Sequence, residues 1–403
     1  DVHDVMRWVL DLDRSCVPIQ GPPGTGKTWM GAHIALALVR AGKRVGITAM
    51  SHHAIDNMLR EVLDVFAANE CVDQLRVARA GAKDSTPDHV AVNHVGNDEA
   101  ASPEFNIVAG TTWSFASNAL RGSPVDVLIV DEAGQLGIAD ALAASSAAGS
   151  VVLLGDPLQL PQVAQASHPG RSGVSVLEHM LGEGVATVPP DRGVFLTTTR
   201  RMHPDVCEFI SHEIYEGRLA AHESCAGQRT AHGTGLRWLR AQHSDRSTES
   251  IEETELVAQE VRRLLGSLWT DSDAAEHNLV AADFMVVSPY NDQVRMMRSV
   301  FDADPALAGI RVGTVDKFQG QQAPVVFFTM TTSTSDDMPR GPGFLFSRNR
   351  LNVAVSRAKC LAYVVCTDEL LNSRAKTVEE MKLISTLCAA VDYAVASPQG
   401  PPR

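Results

Sequence analysis

The chain has 403 residues, of which 44% are hydrophobic and 21% are charged, and its formal net charge is −13. This length and composition are typical of a globular protein with roughly two domains, each able to bury its own core. The acidic balance argues against a generally basic surface for nucleic acid, although it leaves room for a local groove.

The seven cysteines are scattered and odd in number, and no C-x-x-C pair occurs. This pattern argues against a zinc or iron–sulfur site and favours a reduced, cytoplasmic setting. The sequence shows no secretory signal and no apolar run long enough to span a bilayer. Because it begins with Asp1 rather than methionine, we expect a fragment of a longer polypeptide or a processed chain.

The first half of the chain alternates short apolar runs with helical patterns. This alternation predicts parallel strands joined by crossover helices, which is an α/β fold. A helix is predicted over 28–40, with a stop at Gly42. Apolar runs predict strands over 17–19, 44–48, 125–130 and 151–154, and the last two are continuous, as in strands buried on both faces.

Two segments break this pattern. Residues 69–103 have weak periodicity and mixed polarity, which predicts an irregular insertion in the first domain. Residues 182–193 contain two successive prolines and are the expected domain boundary. We therefore assign 1–190 to a first domain and 191–403 to a second, with a tail that is flexible by composition from about residue 397.

The second half resumes the alternation. Ser250 followed by acidic residues is a good helix start, and the helical pattern continues to Leu265. Core strands are predicted over 284–287, 325–328 and 362–365.

A phosphate-binding motif follows the first predicted strand. Residues 21–28 (GPPGTGKT) fit the loop G-x-x-x-x-G-K-[ST], whose backbone amides and lysine hold nucleotide phosphates. In such a site the lysine supplies a fixed positive charge and the threonine hydroxyl binds magnesium. The predicted nucleotide contacts are Gly21, Pro22, Gly24, Thr25, Gly26, Lys27 and Thr28. Taken alone, this loop predicts only that the chain binds a nucleoside triphosphate.

Two carboxylates end the predicted strand over 125–130. Asp131 and Glu132 thereby fall at the carboxyl edge of the sheet, where ligands of open α/β sheets bind. We assign Asp131 to magnesium and Glu132 to the water that attacks the terminal phosphate. The alternative is a solvated strand end, which a phosphate loop on the same predicted sheet makes less favourable.

An amide follows the next strand. Gln159 lies within GDPLQLP, and we assign it to the terminal phosphate, whose presence it would detect. The alternative is an ordinary proline-bounded turn.

Two arginines are candidate cations from the second domain. Arg201 lies in RMHP and Arg357 in NVAVSRAK. A guanidinium that reaches the transferred phosphate contributes on the order of 10³-fold or more in rate. Each arginine alone is more commonly a member of a surface ion pair, and the surrounding motifs favour the catalytic interpretation. With the phosphate loop, they predict two lobes that close on one nucleotide.

The ordered motifs resemble those of a superfamily 1B helicase. They read QGPPGTGKT, AMSHHAIDN, VAGTTW, VDEAGQ, GDPLQLPQ, RRMHP, SPYNDQ, GTVDKFQGQ and RLNVAVSRAK, and they extend over residues 20–359. More narrowly, they are similar to the group with the nonsense-mediated-decay RNA helicase and the nuclease-helicase of Okazaki-fragment processing. The wording of DEAGQ and FQGQ resembles bacterial members in which the helicase follows a RecB-like nuclease domain.

The resemblance implies two tandem RecA-like P-loop NTPase lobes, with ATP between them and a single strand crossing both. It implies that Tyr290 is a platform for adenine and that Arg201 and Arg357 are arginine fingers. The positions that it assigns to the phosphates of the strand are Ser51, Asn57, Thr111, Thr112 and Thr314. For hydroxyls such as those of Ser51 and Thr111, an ordinary strand-end role is the alternative.

Several positions depart from the family pattern. Gln322 stands where the family usually has a glutamate that contacts the ribose, so we expect altered nucleotide affinity. We predict that Gln322→Glu tightens nucleotide binding or raises turnover. His52 replaces an asparagine, Met50 a proline and Arg200 an aromatic residue. The glutamine that often reads adenine upstream of the phosphate loop is missing from residues 1–19, which weakens the case for strict ATP selectivity.

The combined interpretation is a Mg²⁺- and ATP-dependent 5′–3′ translocase or helicase on single-stranded nucleic acid, with DNA preferred. We expect a monomer with no membrane association, and a nuclease domain upstream in the same polypeptide is compatible with the resemblance. An RNA helicase or RNP remodeller and a nucleotide-gated clamp that does not unwind are the alternatives. A P-loop ATPase unrelated to nucleic acid fits the RMHP and SRAK motifs poorly.

Overall fold

The computed structural model describes residues 2–81, 86–162, 168–318 and 320–396. The chain forms two compact units, one from Asp1–Pro22 and Gly26–Leu196 and the other from Pro23–Thr25 and Thr197–Arg403. Each is built on a parallel sheet with helices, so the predicted α/β fold class is confirmed. The tail predicted from residue 397 lies outside the described residues. No helix among those described is both long and apolar enough to cross a bilayer.

The first unit has an eight-stranded sheet in the order β4-β3-β5-β2-β6-β7-β1-β8, and every pairing in it is parallel. Its strands are β1 (Cys16–Gln20), β2 (Val45–Thr48), β3 (Val77–Ala80), β4 (Val92–Val95), β5 (Ile107–Ala109), β6 (Val125–Val130), β7 (Ala148–Gly155) and β8 (Val194–Phe195). Its helices are α1 (Val2–Leu10), α2 (Lys27–Arg40), α3 (His52–Ala68), α4 (Asn97–Ala100), α5 (Thr112–Phe115), α6 (Asn118–Gly122), α7 (Ile138–Ser145) and α8 (Val176–Leu181).

Alternate residues of these strands enter two separate cores. Ile129 joins a cluster with residues of α1, α2 and α3, and its neighbour Leu128 joins another with Phe115 and residues of α7. Burial on both faces explains the continuous apolar runs. The strand predicted over 125–130 is confirmed residue for residue.

The predicted irregular insertion over 69–103 is wrong, because this segment supplies β3, β4 and α4 to the sheet and its cover. An internal charge hides the strand pattern. Arg79 of β3 is fully buried, and its Nε donates to Asp56 Oδ1 of α3 at 2.7 Å. His52 Nδ1 lies 3.0 Å from Arg79 Nη2. A buried arginine is tolerated only when it is paired and hydrogen-bonded, and that requires α3 in place.

The division between the units follows Leu196 rather than residue 190. The reason is β8, which pairs with Ile19 and Gln20 of β1 and so extends the first sheet beyond the two prolines.

The second unit has a five-stranded parallel sheet in the order β12-β18-β17-β15-β16, with a parallel pair β9–β10 and an antiparallel sheet β11-β13-β14. Its strands are β9 (Thr198–Thr199), β10 (Ala220–Ala221), β11 (Arg229–Thr230), β12 (Gly235–Arg240), β13 (Leu268–Thr270), β14 (Glu276–Asn278), β15 (Phe284–Ser288), β16 (Arg311–Thr314), β17 (Ala323–Thr329) and β18 (Ala358–Cys366). Its helices are α9 (Pro204–Ile214), α10 (Ile251–Leu264), α11 (Asn291–Asp302), α12 (Pro342–Leu345), α13 (Arg348–Val355), α14 (Asp368–Leu371) and α15 (Val378–Ala396).

The sequence signals of this unit are confirmed in their main features. Ser250 is the N-cap of α10, and its hydroxyl accepts a hydrogen bond from the Glu253 amide at 3.1 Å. The three predicted strands lie within β15, β17 and β18, which are longer by one to five residues. Their buried side chains share one cluster with α10 and α11.

Candidate nucleotide and nucleic-acid sites

In the first unit the loops that carry the predicted site residues all follow sheet strands at their carboxyl ends. Since the strands are parallel, these loops lie along one edge of the sheet. The loops after β1, β6 and β7 carry the residues assigned to the nucleotide. The loops after β2 and β5 carry the residues assigned to the single-stranded nucleic acid. In the sheet order β5-β2-β6-β7-β1, the two groups therefore occupy adjacent stretches of the edge.

The phosphate loop leads from β1 directly into α2. Gly26 caps the helix in the left-handed region at φ 79°, which a glycine adopts without steric cost, and it offers no side chain to the helix amides. Those amides remain available to an anion at the positive end of the helix dipole. Lys27 Nζ donates to the Gly21 carbonyl at 2.6 Å, so the positive charge lies over the loop. Gly21, Pro22, Gly26, Lys27 and Thr28 belong to the first unit, and Gly24 and Thr25 to the second.

Asp131 is a buried carboxylate at the end of β6. Its amide donates to the Thr48 carbonyl at 2.8 Å, and its Oδ1 accepts from the Glu132 amide at 2.9 Å. Burial raises the pKa of Asp131 to about 7, Glu132 adds to this effect, and the charge of Lys27 opposes it. A carboxylate in such surroundings is stabilised by a nearby cation. Asp131 and the Thr28 hydroxyl both offer oxygen donors, which Mg²⁺ prefers, so these residue types fit this ion.

Two glycines bring the loops after β6 and β7 into backbone contact. A Cβ on Gly155 would lie 2.5 Å from the Gly134 amide nitrogen, and a Cβ on Gly134 would lie 2.5 Å from the Asp156 carbonyl oxygen. The Ala133 amide donates to the Leu154 carbonyl at 2.8 Å. Glycine is therefore required at both positions, and the contact fixes the loop of Gln159 relative to that of Asp131.

Gln159 is 7% exposed, and its Nε2 donates to Asp156 Oδ2 at 2.8 Å. The other oxygen of Asp156 accepts from Gln20 Nε2 at 3.3 Å, and Gln20 Oε1 accepts from the Val188 amide at 2.8 Å. Asp156 and Gln20 thus position Gln159, and the sequence analysis missed both in this role. Their places inside the motifs QGPPGTGKT and GDPLQLPQ were the available signal.

The residues assigned to the phosphates of the nucleic acid include two helix caps. Ser51 Oγ accepts from the Ala54 amide at 3.1 Å, and Thr111 Oγ1 accepts from the Ser114 amide at 3.4 Å. A hydroxyl that caps a helix keeps its own hydrogen, which it can donate to a phosphate. Thr112 is the first residue of α5, and Asn57 lies on α3 with its Oδ1 accepting from Arg60 Nη1 at 2.8 Å.

An aromatic side chain beside these hydroxyls was not singled out from the sequence. Trp113 directly follows Thr112 and is 82% exposed, whereas large apolar side chains are usually covered. It belongs to the quoted motif VAGTTW, so its position was visible in the sequence and its exposure was not.

In the second unit the arginines assigned to the nucleotide meet before β18, where Arg201 Nη1 donates to the Ser356 carbonyl at 3.2 Å. Arg357 immediately precedes β18 and is 1% exposed, with Nε donating to the Val353 carbonyl at 2.9 Å and Nη1 to the Gln321 carbonyl at 3.3 Å. Arg201 is half-buried nearby. Burial and the charge of Arg357 lower the pKa of Arg201, as expected where guanidiniums converge.

Tyr290 and Thr314 lie at the opposite end of this sheet. Thr314 ends β16 and pairs with Ser288, the last residue of β15, two residues before Tyr290. Gln322 instead precedes β17, whose Val325 pairs with the first residue of β15. At about 3.3 Å per residue, β15 separates Tyr290 from Gln322 by roughly 20 Å.

The adenine and ribose of one nucleotide are directly bonded, so this separation argues against one nucleotide contacting both Tyr290 and Gln322. Their pairing rested on motif resemblance without the polarity of the strands. The Tyr290 ring is 5% exposed and packs against Phe344 with ring centroids 5.7 Å apart. Gln322 is grouped with the arginines.

Two family models, each described as an AAA domain, match residues 3–172 and 173–369. The DNA replication ATP-dependent helicase/nuclease JHS1 of Arabidopsis thaliana is 24% identical over 364 residues, which are 85% of this chain and 26% of that protein. The DNA-binding protein SMUBP-2 of Mesocricetus auratus is 26% identical over 437 residues, 89% of this chain and 42% of that protein. The DNA replication ATP-dependent helicase/nuclease DNA2 of Saccharomyces cerevisiae is 24% identical and matches 93% of this chain and 26% of that protein.

The two AAA-domain matches and these relatives support a superfamily 1 helicase. The resemblance drawn from the motifs is confirmed at this level. The chain spans about a quarter to two fifths of the length of the curated relatives it matches.

Proposed function

We propose that this chain is an ATP-driven motor that moves 5′ to 3′ along single-stranded nucleic acid, with DNA as its preferred strand. The observation that carries the proposal is the adjacency of two kinds of loop on one sheet edge. The Asp131 amide donates to the carbonyl of Thr48, three residues before Ser51. A carboxylate suited to Mg²⁺ and a hydroxyl suited to a strand phosphate thus follow neighbouring, hydrogen-bonded strands.

We assign the nucleotide chemistry to the motif residues named above. Lys27 and the amides of the phosphate loop bind the phosphates of ATP. Thr28 and Asp131 would hold Mg²⁺, which would supply positive charge to those phosphates. Glu132 orients the attacking water, and Gln159 contacts the terminal phosphate. Arg201 and Arg357 supply positive charge to the transferred group, and Gln322 belongs to their cluster.

The strand is held through its backbone. Ser51, Asn57, Thr111, Thr112 and Thr314 are short polar side chains, which track phosphates without reading bases. A change at Asp131 on hydrolysis reaches Ser51 through the pairing of β6 with β2, and this link allows the grip on the strand to follow the nucleotide state. The direction of movement rests on the superfamily 1B resemblance alone.

Two broader features belong to the same proposal. We propose that the chain acts as a monomer and that a nuclease domain precedes it in the same polypeptide. In support, JHS1 and DNA2 are helicase/nucleases of which this chain matches about a quarter.

The test is steady-state ATP hydrolysis with Mg²⁺, measured alone and with single-stranded DNA or RNA of equal length. Strong stimulation by DNA is the expected result, and Glu132→Gln is the control that must remove it. If RNA stimulates hydrolysis more strongly than DNA, the preferred substrate is RNA rather than DNA. Strand binding without any stimulated turnover would contradict the motor and favour a nucleotide-gated clamp.

A further inference from the structure

Arg201 is held at its backbone by residues of the second unit that are almost fully buried. Its amide donates to Thr199 Oγ1 at 3.3 Å, and its carbonyl accepts from Gln228 Nε2 at 3.0 Å. Thr199 and Gln228 are 0% and 1% exposed. The Cα of Arg201 is therefore fixed, and the direction of its guanidinium depends on contacts of the side chain itself.

Two acceptors set that direction. Nε of Arg201 donates to Gln322 Oε1 at 3.0 Å, and Nη1 donates to the Ser356 carbonyl at 3.2 Å. An arginine side chain only donates hydrogen bonds, so the oxygen of the Gln322 side-chain amide must face Arg201. The nitrogen of that amide must point away from Arg201. The remaining N–H groups of the guanidinium are left for an anion.

The backbone at Gln321 and Gln322 is also the meeting point of two further arginines. Arg311 Nη2 donates to the Gln322 carbonyl at 3.1 Å, and Arg357 Nη1 donates to the Gln321 carbonyl at 3.3 Å. Three guanidiniums therefore converge on this dipeptide, and both carbonyls and the Gln322 amide oxygen are neutral acceptors. They orient the positive charges without neutralising them.

We propose that Gln322 is a positioning residue that aims the Arg201 guanidinium through its neutral amide oxygen. This inference rests on the proposed function, in which Arg201 acts on the transferred phosphate. A carboxylate at the same position would carry a full negative charge and form an ion pair with the guanidinium, where the amide oxygen forms only a hydrogen bond. Within three converging arginines such a carboxylate would capture the charge that the phosphate requires.

This inference and the sequence-based expectation make opposite predictions for Gln322→Glu. A ribose contact at Gln322 predicts tighter nucleotide binding or faster turnover in the glutamate variant. The positioning role predicts a lower kcat at nearly constant KM for ATP. Truncation in Gln322→Ala, which removes one hydrogen bond to a charged group, should lower kcat by about ten- to a hundredfold.

The experiment is a double-mutant cycle with ATP hydrolysis measured at saturating single-stranded DNA. The variants are Gln322→Ala, Gln322→Glu, Arg201→Ala and the double variant with both residues changed to alanine. Gln321→Ala is the matched control, since its side chain bonds to Arg311 Nη1 and the Lys317 carbonyl rather than to Arg201. The expected result is that Gln322→Ala costs nothing further once Arg201 is alanine, while Gln321→Ala stays near wild type.

An additive cycle would overturn the inference, and so would a raised KM with unchanged kcat in Gln322→Ala. A second readout does not depend on turnover: the ¹H–¹⁵N signal of Arg201 Nε, assigned by its loss in Arg201→Lys. It should shift and exchange faster with solvent in Gln322→Ala but not in Gln321→Ala, and an unchanged signal would overturn the inference. If the Arg201 signal responds to Gln322→Ala as expected but the wild-type chain does not hydrolyse ATP, the positioning contact stands. The proposed function, and with it the catalytic consequence of the contact, would then be contradicted.

Discussion

Both units contain a parallel sheet, but Lys27, Asp131 and Glu132 lie at the opposite strand end from Gln322 and Arg357. In the first unit Lys27, Asp131 and Glu132 follow the carboxyl ends of β1 and β6. In the second unit Gln322 and Arg357 precede the amino ends of β17 and β18. The fold class therefore does not by itself say where the chemistry lies, because strand polarity must be read together with each motif.

The two ends also differ in the ligand that would satisfy them. The first unit buries a carboxylate whose pKa is raised to about 7, which calls for a cation. The second unit gathers guanidiniums around neutral acceptors, which calls for an anion. A Mg²⁺ ion would satisfy the first and a phosphate the second.

The largest effect is expected from the arginine cluster of the second unit. Arg201→Ala should lower kcat for ATP hydrolysis on the order of 10³-fold, because the charge on the transferred phosphate loses its guanidinium. Steady-state hydrolysis at saturating ATP and DNA measures it. Arg295→Ala is the control, since Arg295 lies on α11 of the same unit and pairs with Asp292 at the surface. A loss below about tenfold would remove Arg201 from the catalytic group.

The carboxylates that follow β6 in the first unit are tested by Glu132→Gln. Without a carboxylate to orient or deprotonate the water, hydrolysis should fall by at least about 10²-fold. ATP binding, followed by fluorescence of a labelled nucleotide, should stay within a few-fold of wild type. Glu104→Gln, a change at an exposed glutamate of the same unit, is the matched control. If hydrolysis survives in Glu132→Gln, another group performs this step.

The backbone contact between the loops after β6 and β7 is tested by Gly155→Ala. The added Cβ would lie 2.5 Å from the Gly134 nitrogen, so the two loops must separate, at a cost of about 1–3 kcal/mol in the free energy of unfolding. Urea denaturation measures the change. Gly122→Ala is the comparison, because a Cβ there meets nothing within 4 Å. Equal stabilities of the two variants would show that the loops are not locked by backbone contact.

An effect of similar size is expected at Trp113, beside the residues of the first unit that we assign to the nucleic acid. A base stacked on the exposed indole of Trp113 would contribute about 1–3 kcal/mol to strand binding, so Trp113→Ala should weaken single-stranded DNA affinity about fivefold or more. Fluorescence anisotropy of a labelled oligonucleotide measures it, and basal ATP hydrolysis should not change. Trp8→Ala serves as control, since Trp8 is 50% exposed on α1. Equal affinities in both variants would exclude stacking at Trp113.

The sequence was most informative where a motif coincides with a strand end. The loop at Lys27 and the carboxylates at Asp131 and Glu132 could be placed because apolar strands directly precede them. Strand β3 could not, since its buried Arg79 looks like a surface residue until Asp56 is known to pair with it. Gln322 and Tyr290 were assigned to one ligand because separation along a sheet cannot be read from one motif at a time. The bond between Gln322 and Arg201 joins residues 121 positions apart, and no local pattern predicts it.

The central claim is that hydrolysis moves the chain along a strand. Its most direct test is displacement of streptavidin from biotinylated single-stranded DNA, with the biotin at either the 3′ or the 5′ end. We predict ATP-dependent displacement from the 3′ end, little from the 5′ end, and none with Glu132→Gln. DNA-stimulated ATP hydrolysis without displacement from either end would contradict the claim, because the chain would then bind and hydrolyse without moving.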